Sequence, residues 1–328
     1  MSTQAPNPLP TPVTRLAPSP TGALHLGNAR TFLANWALAR QRGWRIVLRI
    51  EDLDTPRVKH DAASGILGTL RWLGLDWDDG PFVQSSDLEP YREAMRSLAG
   101  GGLVYPSSHT RSEVEDAAAG LAASAPQEGS HESPFPRALR PPLAVRAFDD
   151  PACNWRFATP DGGTTFDDLF AGRCSFRLAD SIGDFIVWTK RACPAYQLAV
   201  VVDDHRQGVT HVVRGDDLLD SAARQLLLYR ALGPWPEPAH AHLPLVIGAD
   251  GRRLAKRHGD TRLETYRSAG VPPEAVVGLV AFWCGIRADR ATCSLAEFRA
   301  AFKLDSIPRR PIVFRQEDHQ WLLSRCAR

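Results

Sequence analysis

Short apolar runs alternate with longer amphipathic stretches over the first hundred residues. Residues 13–17 read as a buried strand, 26–42 as a helix, 45–50 as an apolar strand, and 58–73 and 88–98 as further helices. Strand-helix-strand repetition predicts a parallel sheet with covering helices. From residue 103 to about 191 the texture changes. Residues 116–142 are crowded with Ala, Ser, Pro and Gly, and short apolar pieces at 143–148 and 184–188 then alternate with turn residues, predicting an inserted, irregular α+β module. Residues 196–203 form a continuous apolar run, read as a strand buried on both faces. A strand at 209–214 and an amphipathic helix at 221–232 resume the sheet. Beyond Pro244 helices dominate, at 262–268, 273–285 and 295–302, each punctuated by Pro or Gly.

Composition changes this picture little. The chain has 328 residues, 44% apolar and 23% charged, with a formal net charge of +2, the profile of a soluble protein of two or three domains. The longest apolar run, 275–286, falls short of the roughly 20 residues that a membrane span needs. The first residues carry neither a basic nor an apolar signal region, so the expectation is a cytoplasmic protein with no membrane partner, working as a monomer. Six scattered cysteines without a CxxC pair predict reduced structural thiols. Charge is more informative. Residues 1–250 carry 24 basic and 29 acidic side chains, whereas residues 251–328 carry 15 and 8, which makes the C-terminal stretch a candidate polyanion surface as well as an ordinary solvated one. All but four of the 39 basic residues are arginine, so Lys256 in the loop Gly251-Arg-Arg-Leu-Ala-Lys-Arg-His-Gly259 stands out. A compact ammonium on a mobile stem suits an incoming phosphate chain.

The candidate chemistry lies in the turn after the first strand, where an α/β sheet binds ligands beside a helix N-terminus. There Arg15-Leu-Ala-Pro-Ser-Pro-Thr-Gly leads into His25-Leu-Gly-Asn28. Gly22 is read as permitting a tight turn, and Gly27 as letting a flat ligand approach the backbone. His25 and Asn28 share one face of the first helical turn and can offer donors to phosphates; an ordinary turn capped by Thr21 is the plainer alternative. The next strand ends in Arg49-Ile-Glu-Asp-Leu-Asp54, placing Glu51 and Asp52 opposite Arg15 and His25. A carboxylate beside a carboxylate-binding arginine suits a ligand bearing both an acid and an amine. Tyr196 and Arg214 mark a third segment, read either as site residues or as a core aromatic and an ion-pair partner of Asp216.

The strings RLAPSPTGALHLGNAR, RIEDLD, YQLAVVVDDHRQGVTHVVRGDD and RRLAKRHGD, in this order over most of residues 13–260, closely resemble class I glutamyl-tRNA synthetases. The family's HIGH motif corresponds to 25–28 and its KMSKS motif to 253–257. The resemblance implies a Rossmann-type catalytic domain in two halves, 1–102 and 196–240. It also implies an inserted acceptor-binding-like module at 103–195 and, at 241–328, a KMSKS-like loop with a short helical segment. Only 69 residues follow Gly259, with no anticodon-reading domain, and Val200 stands where full-length members carry Asn. Both features resemble the truncated members that attach glutamate to queuosine in the anticodon of tRNA(Asp). The partners so implied are that tRNA, L-glutamate and ATP with Mg²⁺. A shortened enzyme charging the 3′ end of tRNA(Glu), or a nucleotidylyltransferase with a similar HxGH turn, remains the alternative.

By the same resemblance, Arg15 and Arg214 take the substrate's side-chain carboxylate, Glu51 its ammonium, and Ala17, Ser19 and Tyr196 complete the glutamate site. His25, Gly27, Asn28 and Lys256 hold ATP, with His25, Asn28 and Lys256 catalytic, and Arg309, Arg310 and Arg315 are candidate RNA phosphate contacts. The chain departs from the family in two places. Ser107 and His109 stand where the family often has the first zinc cysteines, and His109 with His131 makes a poor set, so no zinc is expected. In the KMSKS-like loop Arg253 and Ala255 replace a Lys and a Ser.

Overall fold

The computed structural model describes residues 10–53, 62–119, 134–149, 151–252, 254 and 260–326. Three parallel strands, β1 (Val13–Leu16), β2 (Arg45–Ile50) and β3 (Asp79–Val83), form the first sheet. Helix α1 (Leu26–Arg42) crosses between β1 and β2, and α2 (Ala62–Trp72) between β2 and β3. The ranges of α1 and β2 coincide with those expected. Strand β3 was not foreseen, because its Asp79-Gly-Pro-Phe-Val83 carries turn residues; an edge position tolerates proline, having no partner for the missing N–H.

After α3 (Glu89–Gly100) comes an antiparallel sheet in the order β4 (Val104–Ser107), β5 (Asn154–Phe157), β8 (Phe185–Thr189), β9 (Cys193–Pro194). Helices α4 (Arg111–Ala119) and α5 (Leu178–Ser181) accompany it. The apolar piece at 143–148 makes no strand: Leu143 and Val145 are exposed, while Phe148 packs edge-on against Trp155 and Trp188. Strands β6 (Thr164–Asp168) and β7 (Gly172–Phe176) instead join β10 (His211–Gly215) and β11 (Ala239–Leu243), in the order β10-β11-β6-β7. Thr210, just before β10, donates its N–H to the Val13 carbonyl at 2.9 Å, bringing this sheet alongside β1.

One expected strand is a helix. Residues 196–203 open α6 (Tyr196–Arg206), in which every residue from Gln197 to Asp204 is buried. An apolar run buried on all sides fits either structure by periodicity. The decision comes from Asp203 and Asp204, which are both turned inward onto buried partners although they are neighbours. A strand would send them to opposite faces. Helix α7 (Leu219–Leu232) packs beside α6.

The C-terminal part consists of β12 (Val246–Ile247), α8 (Leu263–Ser268), α9 (Pro273–Trp283), α10 (Leu295–Ala301), β13 (Ile312–Val313) and α11 (Gln316–Leu323), with β12 and β13 paired in parallel. Leu33, Ile46, Leu48, Leu70, Val276 and Phe298 belong to the core that joins this part to the first sheet. A second core unites α3, the antiparallel sheet, α6 and α7. Among the described residues no helix is long and apolar enough to cross a membrane.

Helix α9 touches the following loop so closely that a Cβ on Gly278 would lie 1.9 Å from the Ala291 carbonyl oxygen. Gly278→Ala is therefore expected to destabilise the fold by about 1–3 kcal/mol despite alanine's better helix propensity. A denaturant titration showing an unchanged or raised midpoint would contradict this packing.

Candidate active site

A cavity of about 540 Å³ opens at the carboxyl ends of β1, β2 and β10. Its wall includes Arg15, Ala17, Ser19, His25, Gly27, Asn28, Glu51, Tyr196 and Arg214, so the structure brings these nine sequence-predicted residues together. Lys256 lies outside the described residues, as do Arg253 and Ala255 of the same loop. Both ends of that loop are tied to the cavity wall: Leu254 donates to the Val246 carbonyl, Leu26 to that of Thr261 and Leu263 to that of Leu24.

His25 and Asn28 are first of all the cap of α1. The His25 backbone N–H donates to Asn28 Oδ1 at 3.0 Å, and the Gly27 N–H donates to His25 Nδ1 at 3.1 Å. Thr21 does not cap the helix. An accepting Nδ1 places the ring proton on Nε2, so the side-chain donors of this pair are His25 Nε2–H and the Asn28 amide. At Gly27 a Cβ would stand 3.0 Å from the His25 ring, so a side chain there would press on the capping imidazole, a constraint that stands beside the expected approach of a ligand. Gly22 has open space and does not use a positive φ, so the turn makes no demand for glycine there.

The charged wall is built on Arg49, which is fully buried. It donates to Asp204 at 2.7 Å, to Gln207 at 2.8 Å and to Glu51 at 3.1 Å. Arg49 and Glu51 lie two apart at the end of β2, on one face of the strand. Asp204 also stands 3.6 Å from Arg15 Nε. Burial pushes the Glu51 carboxyl up, with Arg49 and Arg15 pulling it down. A ligand ammonium beside Glu51 would add to that downward pull. Asp52 is not part of the wall; its carboxylate accepts from the Ser85 N–H at 2.9 Å and from the Ser85 hydroxyl.

Arg15 donates through Nη1 to the Val213 carbonyl at 3.4 Å, while its buried Nε has no hydrogen-bond acceptor. Arg214 donates through Nε to His242 Nε2 at 2.9 Å and through Nη2 to the Leu218 carbonyl at 3.3 Å, and its buried Nη1 likewise has none. Burial pushes the Arg214 pKa down. Arg15 Nε still faces Asp204 across 3.6 Å, so it is the buried Arg214 Nη1–H, without an acceptor, that marks a place for an anion. Tyr196 opens α6 at the rim, and burial pushes its hydroxyl pKa up while Arg214 pulls it down. Ser19 is exposed, its hydroxyl 3.4 Å from that of Thr21. Sequence reasoning missed Arg49, Asp204, His242 and Asp168. The available signals were the i, i+2 spacing of Arg49 with Glu51 and of His240 with His242 on a strand.

Away from the cavity, Ser107 ends β4 and its hydroxyl accepts from Arg156 at 3.4 Å, His109 lies by Phe135, and His131 is outside the described residues. Among the described residues no three His, Cys, Asp or Glu side chains form a metal-binding group. Arg309 is occupied, donating to the Phe170 carbonyl at 2.7 Å and covering the Phe170 ring. Arg310 and Arg315 are exposed and line a second hollow, of about 570 Å³.

This is the catalytic fold of a class I tRNA synthetase, a family of ATP-using ligases. Residues 12–321 match the family described as tRNA synthetases class I (E and Q), catalytic domain, and the chain belongs to it. It is 46% identical over 311 residues to the glutamyl-Q tRNA(Asp) synthetase of Symbiobacterium thermophilum, covering 91% of this chain and 94% of the relative. It is 48% identical over 293 residues to the protein of the same description from Rhodopirellula baltica, covering 84% and 86%. The crystal structure of a glutamate tRNA ligase from Elizabethkingia meningosepticum in complex with its amino acid is similar with a TM-score of 0.77 at 27% identity. The match covers 95% of this chain and 68% of that one.

The cap allows two jobs of His25 to be separated. Asparagine is a good N-cap, so His25→Asn should leave the melting temperature within a few degrees while removing Nε2–H from the cavity. Amino-acid-dependent ATP–pyrophosphate exchange should then fall by about 10²-fold. Loss of activity in proportion to loss of folded protein would reduce His25 to a cap.

Proposed function

We propose that this protein activates L-glutamate with MgATP and transfers it to queuosine in the anticodon of tRNA(Asp). The observation that carries the amino-acid assignment is the buried Arg214 guanidinium, whose Nη1 has no acceptor, standing with Arg15 in one cavity with the Glu51 carboxylate. An amino acid with a second carboxylate matches that charge pattern. The acceptor assignment is supported by similarity to glutamyl-Q tRNA(Asp) synthetases over nearly their whole length.

In this reading Arg15 and Arg214 take the side-chain carboxylate, Glu51 the ammonium, and Ala17, Ser19 and Tyr196 shape the remaining contacts. The α-carboxylate attacks the α-phosphorus of ATP in line; a carboxylate–phosphorus bond forms and the bond to pyrophosphate breaks. No protein nucleophile is needed, so the site acts through positioning and charge stabilisation. His25, Gly27 and Asn28 hold the nucleotide at the positive end of α1, and Lys256 stabilises the departing pyrophosphate. Mg²⁺ arrives with the ATP phosphates, a mode that needs no protein cage. A hydroxyl of the modified base then attacks the mixed anhydride, forming an ester and releasing AMP.

Residues 1–102 and 196–240 form the two catalytic halves in this proposal, 103–195 the acceptor-facing module apart from β6 and β7, which pair with the catalytic strands β10 and β11, and 241–328 the KMSKS-like loop and stem-contacting segment, with Arg310 and Arg315 as phosphate contacts. The protein acts as a cytoplasmic monomer without structural zinc. Metal analysis of the purified chain should accordingly find zinc substoichiometric; one tightly held ion per chain would contradict this.

Purified protein should catalyse glutamate-dependent pyrophosphate exchange without added RNA, and Lys256→Ala should lower the rate by about 10²–10³-fold. A variant within threefold of wild type would remove Lys256 from the mechanism. Labelled glutamate should attach to tRNA(Asp) containing queuosine, fail with guanosine at that position, and survive removal of the 3′ terminal adenosine. Loss of the label on that trimming, or efficient charging of tRNA(Glu), would favour an ordinary glutamyl-tRNA synthetase.

A further inference from the structure

Arg214 is held from behind by a buried chain that crosses three adjacent strands. Arg214 on β10 and His242 on β11 are register partners, and β11 pairs in turn with β6, which ends at Asp168. Arg214 Nε donates to His242 Nε2 at 2.9 Å, and His242 Nδ1 lies 2.6 Å from Asp168 Oδ2. The side chains of His242 and Asp168 are wholly buried. The other Asp168 oxygen accepts the backbone N–H groups of Phe170, Ala171 and His242 at 2.9, 2.8 and 3.1 Å.

A carboxylate only accepts, so the imidazole proton must sit on Nδ1, and Nε2 must present its lone pair to Arg214. The opposite tautomer, or an imidazolium, would set an N–H against the guanidinium N–H. Burial holds the His242 pKa down and the Arg214 charge adds to that effect, against the pull of Asp168. With Nε tied to His242 and Nη2 tied to Leu218, the guanidinium plane is set, and Nη1 is the donor left without an acceptor.

We propose that Asp168 and His242 are positioning residues of the amino-acid site: they select the tautomer that receives Arg214 Nε and thereby hold Nη1 toward the substrate's side-chain carboxylate. This rests on the reading of the cavity as a glutamate site. Asp168 lies in a strand from the middle of the chain, so a residue far from the signature segments helps set amino-acid affinity.

Wild-type exchange comes first in the test. If glutamate does not support it, the glutamate reading fails, whatever the chain does. If glutamate supports it, His242→Phe should raise KM for glutamate about tenfold or more, with kcat and KM for ATP within about threefold. His242→Gln can accept from Arg214 through Oε1 and donate to Asp168 through Nε2–H, so it should restore KM for glutamate to within about threefold of wild type. An unchanged KM for glutamate in His242→Phe, or equal damage in both variants, would overturn the proposal. Should His242→Phe fail to fold, nitrogen NMR of histidine-labelled wild type decides. The proposal requires a His242 ring protonated on Nδ1 and unprotonated on Nε2, and the other tautomer or an imidazolium refutes it.

Discussion

Burying a guanidinium group is the constraint around which this molecule is arranged. Arg49 has no solvent exposure, so its charge must be met inside the protein, and Asp204, Glu51 and Gln207 meet it. Removing one partner of such a buried pair costs about 3–5 kcal/mol, because the other charge is left uncompensated. The requirement reaches outward. Asp204 has to sit on α6 facing β2, and its neighbour Asp203 faces inward too, accepting from Gln84 and Tyr91 at 2.8 Å each. Helix α6, the end of β2 and the start of α3 are thereby locked in one arrangement, with Glu51 as its exit into the cavity.

From that anchor the site is assembled by sharing polar atoms. Asp204 serves Arg49 and lies near Arg15, so strands β1 and β2 share one carboxylate. Asn35 on α1 accepts from Thr14 and donates to the Arg15 carbonyl, both at 2.9 Å, fixing the backbone of the residue that points into the cavity. The cap of α1 uses His25 Nδ1 and Asn28 Oδ1, and both residues also line the cavity. In the proposed mechanism, function therefore depends on groups whose other atoms carry structural work. The same holds for Arg214, two of whose nitrogens are spent on His242 and Leu218. A site built this way is preorganised before any ligand arrives, which suits a reaction catalysed by positioning and charge.

Neighbouring polar residues in the sequence often separate in space. Glu51 faces the cavity and Asp52 turns to Ser85; Arg309 grips Phe170 while Arg310 stays exposed. Strand alternation accounts for the first pair. The Phe170 carbonyl and ring, delivered by the β6–β7 turn, account for the second.

What the sequence by itself determined is what depends on nearby residues: the β1-α1-β2 unit, the apolar faces, the spacing that sets Arg15 and Glu51 at the strand ends and His25 and Asn28 at the start of α1, and the motifs that mark the family. Those features follow from periodicity and turn chemistry over a few residues. Only tertiary structure decided that residues 196–206 coil into a helix, because the apolar run suits both periods and the inward pair Asp203 and Asp204 has its partners on β1, β2, α3 and just before α3. It also decided that β6 and β7 join the sheet of β10 and β11, and that Asp168 and His242, 74 residues apart, stand behind Arg214. A buried charge is satisfied by whichever chain segment reaches it, and no local pattern records which segment that is.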